Sequence, residues 1–400
     1  MNKSKISRMT QQKLPLVPMS SPMITPQDRK IVGDVLDTVD LSMGPRTTEF
    51  ENAFLKVTGR KFALACSSGT TGLHLCVRAC GFSSGDYVIT TPFSFVSSTN
   101  VLLYENATPI FVDVDPRSGN IDVSLVQQAA ADLAGGNINR WLPRRGSPSK
   151  GHLAGLLAVD VFGQPADFDP LNQIAKKYDL KVIEDSCEAL GAGYKGRPAG
   201  TLGEFGTFAF YPNKQITTGE GGMIVTDDET AANFMRALCN QGRAPGDTWL
   251  QHTYLGYNYR LDEMSAALGV SQMKRLEQHL TARQQVADWY NQRLQSVAGV
   301  EIPSILPETT RVSWFVYVIR VDKAIDRDTF AERLGQAGIP VRPYFLPIHL
   351  QPYMAEKFGY RPGDFPVTED LGKRGLALPF SSVMSEAQVE IVCQTLKETL

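Results

Sequence analysis

The chain of 400 residues is 42% hydrophobic and 20% charged and carries a formal net charge of −2. It is too long for a single compact core, so two domains are expected, and its balanced charge argues against nucleic acid or a membrane surface as the main partner. No apolar run reaches the length of a membrane span or a signal peptide, which predicts a cytoplasmic protein. The six cysteines form no CxxC pair, which predicts reduced thiols and no metal site.

The first part of the chain predicts an arm, a helix and an anion-binding turn. Residues 1–27 are polar and rich in proline, and Thr25 then caps a helix that has Pro26 at its first position. Residues 61–66 form an apolar strand, and SSGTTG (residues 67–72) leads from it into an apolar helix over residues 73–79. Backbone N–H groups and the positive end of the helix dipole converge in such a turn, which favours an anion, although the run also suits a simple N-capping turn. It is not GxGxxG and therefore does not favour a dinucleotide fold.

Strands and helices alternate from residue 60 to residue 230, which predicts a mostly parallel sheet built from βαβ units. Predicted strands lie at residues 86–90, 109–114, 153–161 and 181–185. Phe95 follows the first of these strands, where ligands sit in open α/β sheets, although a core position suits it equally well. Residues 135–151 interrupt the pattern with arginines and no acidic residue, and they predict a long inserted loop that is solvated or contacts an anion.

Two stretches in the middle of the chain carry the chemistry. KVIED (residues 181–185) is a buried strand that ends in carboxylates, and GTFAFYPNKQITTGEGG (residues 206–222) places Lys214 on a turn between two strands. A lysine held in this way can reach an electrophile from a fixed direction. Lys214 alone also suits a solvated hairpin, but with Asp185 it supplies the two groups that a pyridoxal phosphate site requires.

The C-terminal part predicts a second, smaller domain. A single long helix over residues 262–295 is expected to connect the domains. Beyond it, the pattern predicts strands over residues 311–321 and 338–344 and helices over residues 327–337 and 385–399, which together have the size of a small α+β domain. The predicted division is an N-terminal arm (residues 1–27), a large domain (residues 28–275) and a small C-terminal domain (residues 276–400).

The chain resembles the sugar aminotransferases of the DegT/DnrJ/EryC1/StrS family, which belong to fold type I of the pyridoxal-phosphate enzymes. The resemblance covers nearly the whole chain through motifs in the family's order: LSMGPRTTEFE, SSGTTGLHL, TPFSFVSSTN, VDVFGQPAD, VIEDSCEALGA, FYPNKQITTGEGG, LGYNYRLDEMSAALG and HLQPYM. It implies an α/β large domain, with a mostly parallel central sheet flanked by helices, and a smaller α+β C-terminal domain.

The family's residue roles transfer to the matching positions of this chain. Lys214 matches the Schiff-base lysine, and Asp185 matches the carboxylate that keeps the pyridine nitrogen protonated. The other matches are contacts with the cofactor or the substrate. Gly69 and Thr70 match the residues that bind the phosphate, Phe95 the aromatic residue stacked on the ring, and Glu188 a position near the cofactor where many relatives have glutamine. Asn258 and Arg260 match a loop that reaches the phosphate of the neighbouring subunit, and His349 matches a position near the sugar, unless it is a surface histidine.

One position departs from the family's pattern. Five residues before the lysine the family commonly has a serine that binds the cofactor phosphate, and this chain has Ala209. A charge-assisted hydrogen bond is typically worth about 1.5–3 kcal/mol. The glycine-rich turn, the loop of the neighbouring subunit or a water must therefore compensate for the missing hydroxyl.

The resemblance implies amino transfer from an amino acid, with L-glutamate expected, to a nucleotide-diphosphate keto-sugar, in an obligate homodimer with shared active sites. Lys214 argues against the family's dehydratases, which have histidine in its place. A cyclitol or aminobenzoate-type enzyme of the same family stays an alternative, and so does a non-catalytic sensor or scaffold that keeps the fold. A metal-dependent hydrolase is disfavoured because no His, Cys or Asp cluster has ligand spacing.

Overall fold

The computed structural model describes residues 17–400, so residues 1–16 of the predicted N-terminal arm lie outside the described residues. The remainder of the arm packs on the body of the protein. Val17 is buried, and the backbone carbonyl of Met19 accepts a hydrogen bond from the N–H of Phe380. Thr25 then caps the first helix through a reciprocal pair of hydrogen bonds with Asp28, as the Thr-Pro start of this helix predicts.

The described residues form thirteen strands, which are numbered here in chain order. They are β1 (Phe62–Cys66), β2 (Asp86–Thr90), β3 (Thr108–Phe111), β4 (His152–Val159), β5 (Lys181–Asp185), β6 (Gly193–Tyr194), β7 (Arg197–Pro198), β8 (Phe205–Ala209), β9 (Gly222–Thr226), β10 (Val300–Glu301), β11 (Thr309–Arg311), β12 (Tyr317–Val321) and β13 (Gly375–Leu378).

The same residues form thirteen α-helices and two short 3₁₀ helices, Val161–Gly163 and Ile348–Leu350. The α-helices are α1 (Pro26–Leu36), α2 (Pro45–Thr58), α3 (Gly69–Ala79), α4 (Ser97–Tyr104), α5 (Val123–Ala134), α6 (Phe168–Tyr178), α7 (Glu229–Cys239), α8 (Glu263–Met273), α9 (Leu276–Leu294), α10 (Arg327–Gln336), α11 (Pro352–Phe358), α12 (Pro366–Arg374) and α13 (Glu386–Thr399). Among residues 17–400, none of these helices has the length and apolar character needed to cross a membrane.

A seven-stranded sheet organises the larger part of the chain, in the order β1-β9-β8-β5-β4-β2-β3. Only β9 runs antiparallel to its neighbours; the other adjacent strands are parallel. Helices cover both faces: α2 and α8 pack on one side of β8 and β9, while α3 and α7 pack on the other. The buried, apolar character of these strands follows from this double cover. Because β2, β5 and β8 are parallel, their carboxyl ends lie at the same edge of the sheet.

A second core forms around a smaller sheet, in which β12 pairs antiparallel with β10 and β13. Its apolar side chains come from β12, β13, α9, α10 and α13, and stacked Tyr290 and Tyr317 rings, 4.7 Å apart, lie within it. The predicted α+β character of the C-terminal part is therefore confirmed. The division of the chain at residues 27 and 275 stays a prediction.

Three elements predicted for residues 262–344 are wrong in detail. The helix over residues 262–295 is two helices, α8 and α9, because the chain leaves helical geometry at Arg275 (φ −117°, ψ 17°). The strand over residues 311–321 is divided between β11 and β12 by Trp314, whose φ is positive. Residues 338–344 make only one β-bridge, at Arg342, since Pro340 and Pro343 lack the N–H groups that a strand needs, and β13 pairs with β12 instead.

The basic loop at residues 135–151 contains neither helix nor strand and packs on the short helix α11. Arg144 forms a salt bridge with Asp364, with Nη2 at 2.7 Å from Oδ1, and the side chain of Arg145 donates to the carbonyl of Ala355. Two of the loop's arginines are therefore bound to the protein itself.

Candidate active site

A cavity of about 630 Å³ lies where the carboxyl ends of β5 and β8 meet the start of α3. The edge at which parallel strands end is the usual place for a ligand in this architecture. The wall of the cavity includes six of the residues that the sequence predicts for the site: Gly69, Thr70, Phe95, Asp185, Glu188 and Lys214.

Lys214 lies on the turn that follows β8, and its backbone N–H donates to the carbonyl of Tyr211. Its side chain is only 12% exposed. The amine nitrogen lies 3.9 Å from Oε1 of Glu188 and 3.8 Å from the centroid of the Phe315 ring. The lysine therefore points into the cavity wall, and the alternative of a solvated hairpin lysine is wrong.

Asp185 is the last residue of β5, and 3% of it is exposed. Its Oδ2 accepts a hydrogen bond of 2.6 Å from Ser98 Oγ, and its Oδ1 accepts one of 3.1 Å from the backbone N–H of Cys187. A buried carboxylate requires such partners, because an uncompensated charge away from water is costly. Both oxygens are thereby fixed in direction at the wall of the cavity.

The SSGTTG turn is the first turn of α3, which begins at Gly69 rather than at the Leu73 start that the sequence predicts. Ser68 caps the helix through the backbone N–H of Thr71. Gly69 and Thr70 occupy the first two helical positions, where N–H groups have no acceptor within the helix. A Cβ at Gly69 would lie 2.7 Å from the Cβ of Ala209 and 2.8 Å from the Sγ of Cys187, so only glycine fits beside β8.

Phe95 and Glu188 complete the set of groups in the wall. Phe95 is 61% exposed, so its ring is available to a ligand rather than packed in the core. Glu188 is buried, and its Oε2 accepts a hydrogen bond of 2.9 Å from the N–H of Phe162. Burial, partly offset by the charge of Lys214, raises the pKa of the Glu188 carboxyl to about 7.

This donor set fits pyridoxal phosphate. Lys214 can hold the cofactor covalently, Asp185 can face its ring nitrogen, and the free N–H groups of Gly69 and Thr70 suit its phosphate. Phe95 offers an aromatic face. Within residues 17–400, no group of three or more His, Cys, Asp or Glu side chains is arranged to hold a metal ion.

Asn258 and Arg260 do not contribute to the wall of this cavity. Asn258 is exposed, and Arg260 donates a hydrogen bond of 3.0 Å from Nη1 to Oδ1 of Asn240. The expectation that both residues serve the neighbouring subunit stays a prediction.

The structure does not bring His349 into the cavity. The side chain is fully buried, its Nε2 lies 3.0 Å from Oε1 of Glu369, and its ring packs edge-on against Phe365. Leu346 and Gln351 on either side of it do reach the cavity wall. The burial of His349 contradicts the surface-histidine alternative, and its contact with a sugar stays a prediction that the position of its side chain in this structure does not favour.

The sequence missed two side chains of the site. Ser98 lies within the quoted TPFSFVSSTN motif, but nothing in the motif shows that its hydroxyl meets a carboxylate 87 positions later. Phe315 lies under the Lys214 amine and also lines the cavity. No local signal identifies it, because its position depends on how the C-terminal part packs on the large sheet.

Comparisons with known proteins give the family of the chain. The model of the DegT/DnrJ/EryC1/StrS aminotransferase family matches residues 22–397. The GDP-perosamine synthase of Caulobacter vibrioides is 35% identical over 390 residues, which cover 97% of this chain and 99% of the relative.

Two solved structures extend the likeness to the fold. Helicobacter pylori PseC, an aminotransferase of pseudoaminic acid biosynthesis, has a TM-score of 0.86 and 26% identity and covers 96% of this chain and 98% of its own. The E. coli GDP-4-keto-6-deoxy-D-mannose-3-dehydratase with bound hydrated PLP has a TM-score of 0.84 and 26% identity and covers 96% of this chain and 100% of its own.

These findings confirm the fold class, the enzyme class and the cofactor that the sequence predicts. The match extends over almost the entire chain and includes relatives with bound cofactor. The chain is a pyridoxal-phosphate-dependent aminotransferase and belongs to the DegT/DnrJ/EryC1/StrS aminotransferase family.

Proposed function

We propose that the protein transfers an amino group from an amino acid, with L-glutamate as the expected donor, to a keto-sugar carried by a nucleoside diphosphate. The observation that carries this proposal is the presence of Lys214 and Asp185 in the wall of one cavity at the carboxyl edge of the sheet. Two of the compared proteins, the GDP-perosamine synthase and the GDP-4-keto-6-deoxy-D-mannose-3-dehydratase, are named after GDP-linked sugars. Guanosine diphosphate is therefore the first carrier to test.

Four residues of the wall, Lys214, Asp185, Gly69 and Thr70, have distinct tasks in this proposal. Pyridoxal phosphate, when bound, supplies a protonated ring that accepts an electron pair from the substrate carbon. Lys214 would hold the cofactor through its amine and, when that amine is free, would take the proton from the substrate carbon and return it as general base and acid. Asp185 would keep the ring nitrogen protonated, and the N–H groups of Gly69 and Thr70 would bind the phosphate.

The buried environment favours this proton transfer. Glu188 lies beside the Lys214 amine, and its pKa of about 7 allows it either to accept or to donate a hydrogen bond near neutral pH. The cavity of about 630 Å³ falls within the usual size range of small-molecule sites.

We also propose a homodimer in which each subunit completes the active site of the other. Asn258 and Arg260 follow a loop that exposes large apolar side chains: Trp249 is 76% exposed, Leu250 83% and Leu255 84%. Such a patch on a folded chain commonly marks a protein interface. If a second copy of the chain covers this loop, Asn258 and Arg260 would lie close to helix α3 of that copy, whose first turn is the proposed phosphate site.

The test is a direct assay of amino transfer. The purified protein is loaded with pyridoxal phosphate and incubated with L-glutamate and a panel of GDP-, UDP- and dTDP-linked keto-sugars, and the products are analysed by mass spectrometry. We expect an amino-sugar nucleotide and stoichiometric 2-oxoglutarate, with GDP-linked substrates preferred. A dehydrated sugar product, or 2-oxoglutarate formed without any amino sugar in the whole panel, would contradict the proposal.

A further inference from the structure

Arg283, on helix α9, is a buried guanidinium that forms no salt bridge within residues 17–400. Only 2% of the residue is exposed. Burial lowers its pKa to about 10, which leaves it positively charged at neutral pH. A buried cation that lacks a carboxylate partner is costly, so its other contacts must account for its presence.

The hydrogen bonds of Arg283 go to four backbone carbonyls from two distant segments, and its guanidinium carbon also lies 5.7 Å from the centroid of the Phe380 ring. Nη1 donates to the carbonyls of Trp314 at 3.0 Å and Phe315 at 3.2 Å. Nη2 donates to the carbonyls of Asn213 at 3.1 Å and Lys214 at 2.5 Å. The rigid fork of one arginine thus binds two pieces of chain that are about a hundred residues apart in sequence.

Both segments lie next to the amine of Lys214. One contains Lys214 itself, and the other contains Phe315, whose ring lies 3.8 Å from the lysine nitrogen. A second bridge runs beside the first: the side chain amide of Gln215 donates to the hydroxyl of Ser313 at 2.8 Å and to the carbonyl of Glu188 at 2.6 Å. The turn that bears Lys214 is therefore fastened to the Phe315 segment on two sides.

We propose that Arg283 is a positioning residue for Lys214: by holding the Asn213–Lys214 carbonyls against the Trp314–Phe315 carbonyls, it sets the direction of the lysine amine in the cavity. The inference rests on the proposed role of Lys214. A flexible lysine side chain delivers its amine accurately only if its own backbone is fixed. Displacing a reacting group by about 1 Å can cost roughly 100-fold in rate, so Arg283 can affect the rate of the reaction without touching the substrate.

Two substitutions of Arg283 and one control test this role. Arg283→Gln keeps two N–H donors and loses the charge and the fork, while Arg283→Lys keeps the charge but as a single point. Arg374→Gln is the matched control, because Arg374 is also a buried guanidinium but binds Glu301 and Asp370 and does not line the cavity.

Three measurements on the full chain separate positioning from general stability. Amide hydrogen exchange reports the order of residues 211–218, borohydride trapping reports how fast pyridoxal phosphate is attached at Lys214, and steady-state kinetics separate kcat from KM. For Arg283→Gln we expect roughly 100-fold lower kcat with KM changed by less than about threefold, together with faster exchange in this turn and slower trapping. Arg283→Lys should recover part of each effect, and Arg374→Gln should change none of them at a temperature where it is folded.

The same three measurements can overturn the inference. If Arg283→Gln behaves like Arg374→Gln in exchange, trapping and kcat, then Arg283 does not position Lys214. If Arg283→Gln does not fold, the decision falls to Arg283→Lys, where unchanged trapping and exchange would be the contradictory result. Exchange and trapping need no sugar substrate, so they decide the role of Arg283 even if the wild-type protein transfers no amino group to the tested sugars.

Discussion

Ser98 donates a hydrogen bond of 2.6 Å to Oδ2 of Asp185, and both side chains are buried at the carboxyl edge of the sheet. The other oxygen of Asp185 accepts a hydrogen bond from the backbone N–H of Cys187. The carboxylate is therefore oriented by helix α4 and by the turn after β5 before any ligand binds. Orientation in advance is what makes a fixed charge effective in catalysis, because no rearrangement is needed during the reaction.

Replacing Asp185 by asparagine tests the task of this charge. Asp185→Asn is nearly isosteric and keeps a hydrogen-bonding side chain beside Ser98, so we expect a folded protein. Without the negative charge the ring nitrogen loses its counter-ion, and kcat should fall at least about 100-fold. Ser98→Ala is the matched control, because it removes a single hydrogen bond, and it should cost about tenfold at most. Steady-state kinetics of the two variants decide the point, and an Asp185→Asn enzyme within threefold of wild type would contradict the assigned role.

The contact between Gly69 and Ala209 predicts opposite effects of two small substitutions on cofactor affinity. Gly69→Ala would place a methyl group 2.7 Å from the Cβ of Ala209, which should displace the first turn of α3 and weaken the binding of pyridoxal phosphate. Ala209→Ser adds a hydroxyl beside the same turn and should tighten binding by at least about tenfold, the equivalent of one charge-assisted hydrogen bond. Titration of the cofactor-free protein by fluorescence measures both values. Equal affinities for the three proteins would show that the phosphate binds elsewhere.

The raised pKa of Glu188 predicts a pH-dependent stability. The folded chain keeps the Glu188 proton up to a pKa of about 7, whereas the unfolded chain releases it near the ordinary value of 4.5. The contribution of this group to stability is therefore full below pH 4.5 and is lost as the pH rises towards 7, by about 3 kcal/mol at most. Glu188→Gln has no carboxyl group at this position. The Tm of the variant minus the Tm of the wild type should therefore increase as the pH rises from 5 to 8.

This measurement uses cofactor-free protein and one control variant. Glu356→Gln, at an exposed position of α11, removes the same charge without the burial and should give a Tm that follows the wild type at every pH. If the wild-type and Glu188→Gln curves stay parallel from pH 5 to pH 8, the carboxyl of Glu188 does not titrate in this range.

Shared active sites predict that two inactive variants restore each other. Lys214→Ala and Arg260→Ala should each be inactive alone. In a mixed dimer, one site carries both substitutions and the other carries neither. With random exchange in an equal mixture, half of the dimers are mixed, so activity should return to about a quarter of the wild-type value. The absence of any recovery, after subunit exchange has been demonstrated by native mass spectrometry, would mean that Arg260 serves its own chain.

Much of the fold could be predicted because its signals are local. Strands β2 and β5 begin and end at the residues that the sequence predicts, since each is an apolar run bounded by polar residues. The pair of Asp185 and Lys214 could be identified for the same reason: Asp185 ends β5, Lys214 lies on the turn after β8, and parallel strands bring their ends together.

The errors have tertiary causes. The break between α8 and α9 lies at Arg275, whose side chain binds Asp28, 247 positions earlier, at 2.8 Å. Helix periodicity alone cannot reveal such a partner. His349 looks like an accessible loop residue in sequence, but the packing of α11 and α12 around it buries its ring completely. The hydrogen bonds from Arg283 to four backbone carbonyls could not be predicted either. Every residue has a backbone carbonyl, so the sequence does not indicate which ones an arginine binds.

The central claim is that Lys214 carries the cofactor in a buried cavity, and one measurement tests it directly. The protein loaded with pyridoxal phosphate is reduced with borohydride, digested and mapped by tandem mass spectrometry, with Lys214→Ala treated in parallel. We predict a phosphopyridoxyl group on Lys214 at close to one per chain, no such group on any other lysine, and none in Lys214→Ala, which should also lose all amino transfer. Stoichiometric labelling of a different lysine, or normal amino transfer by Lys214→Ala, would contradict the account.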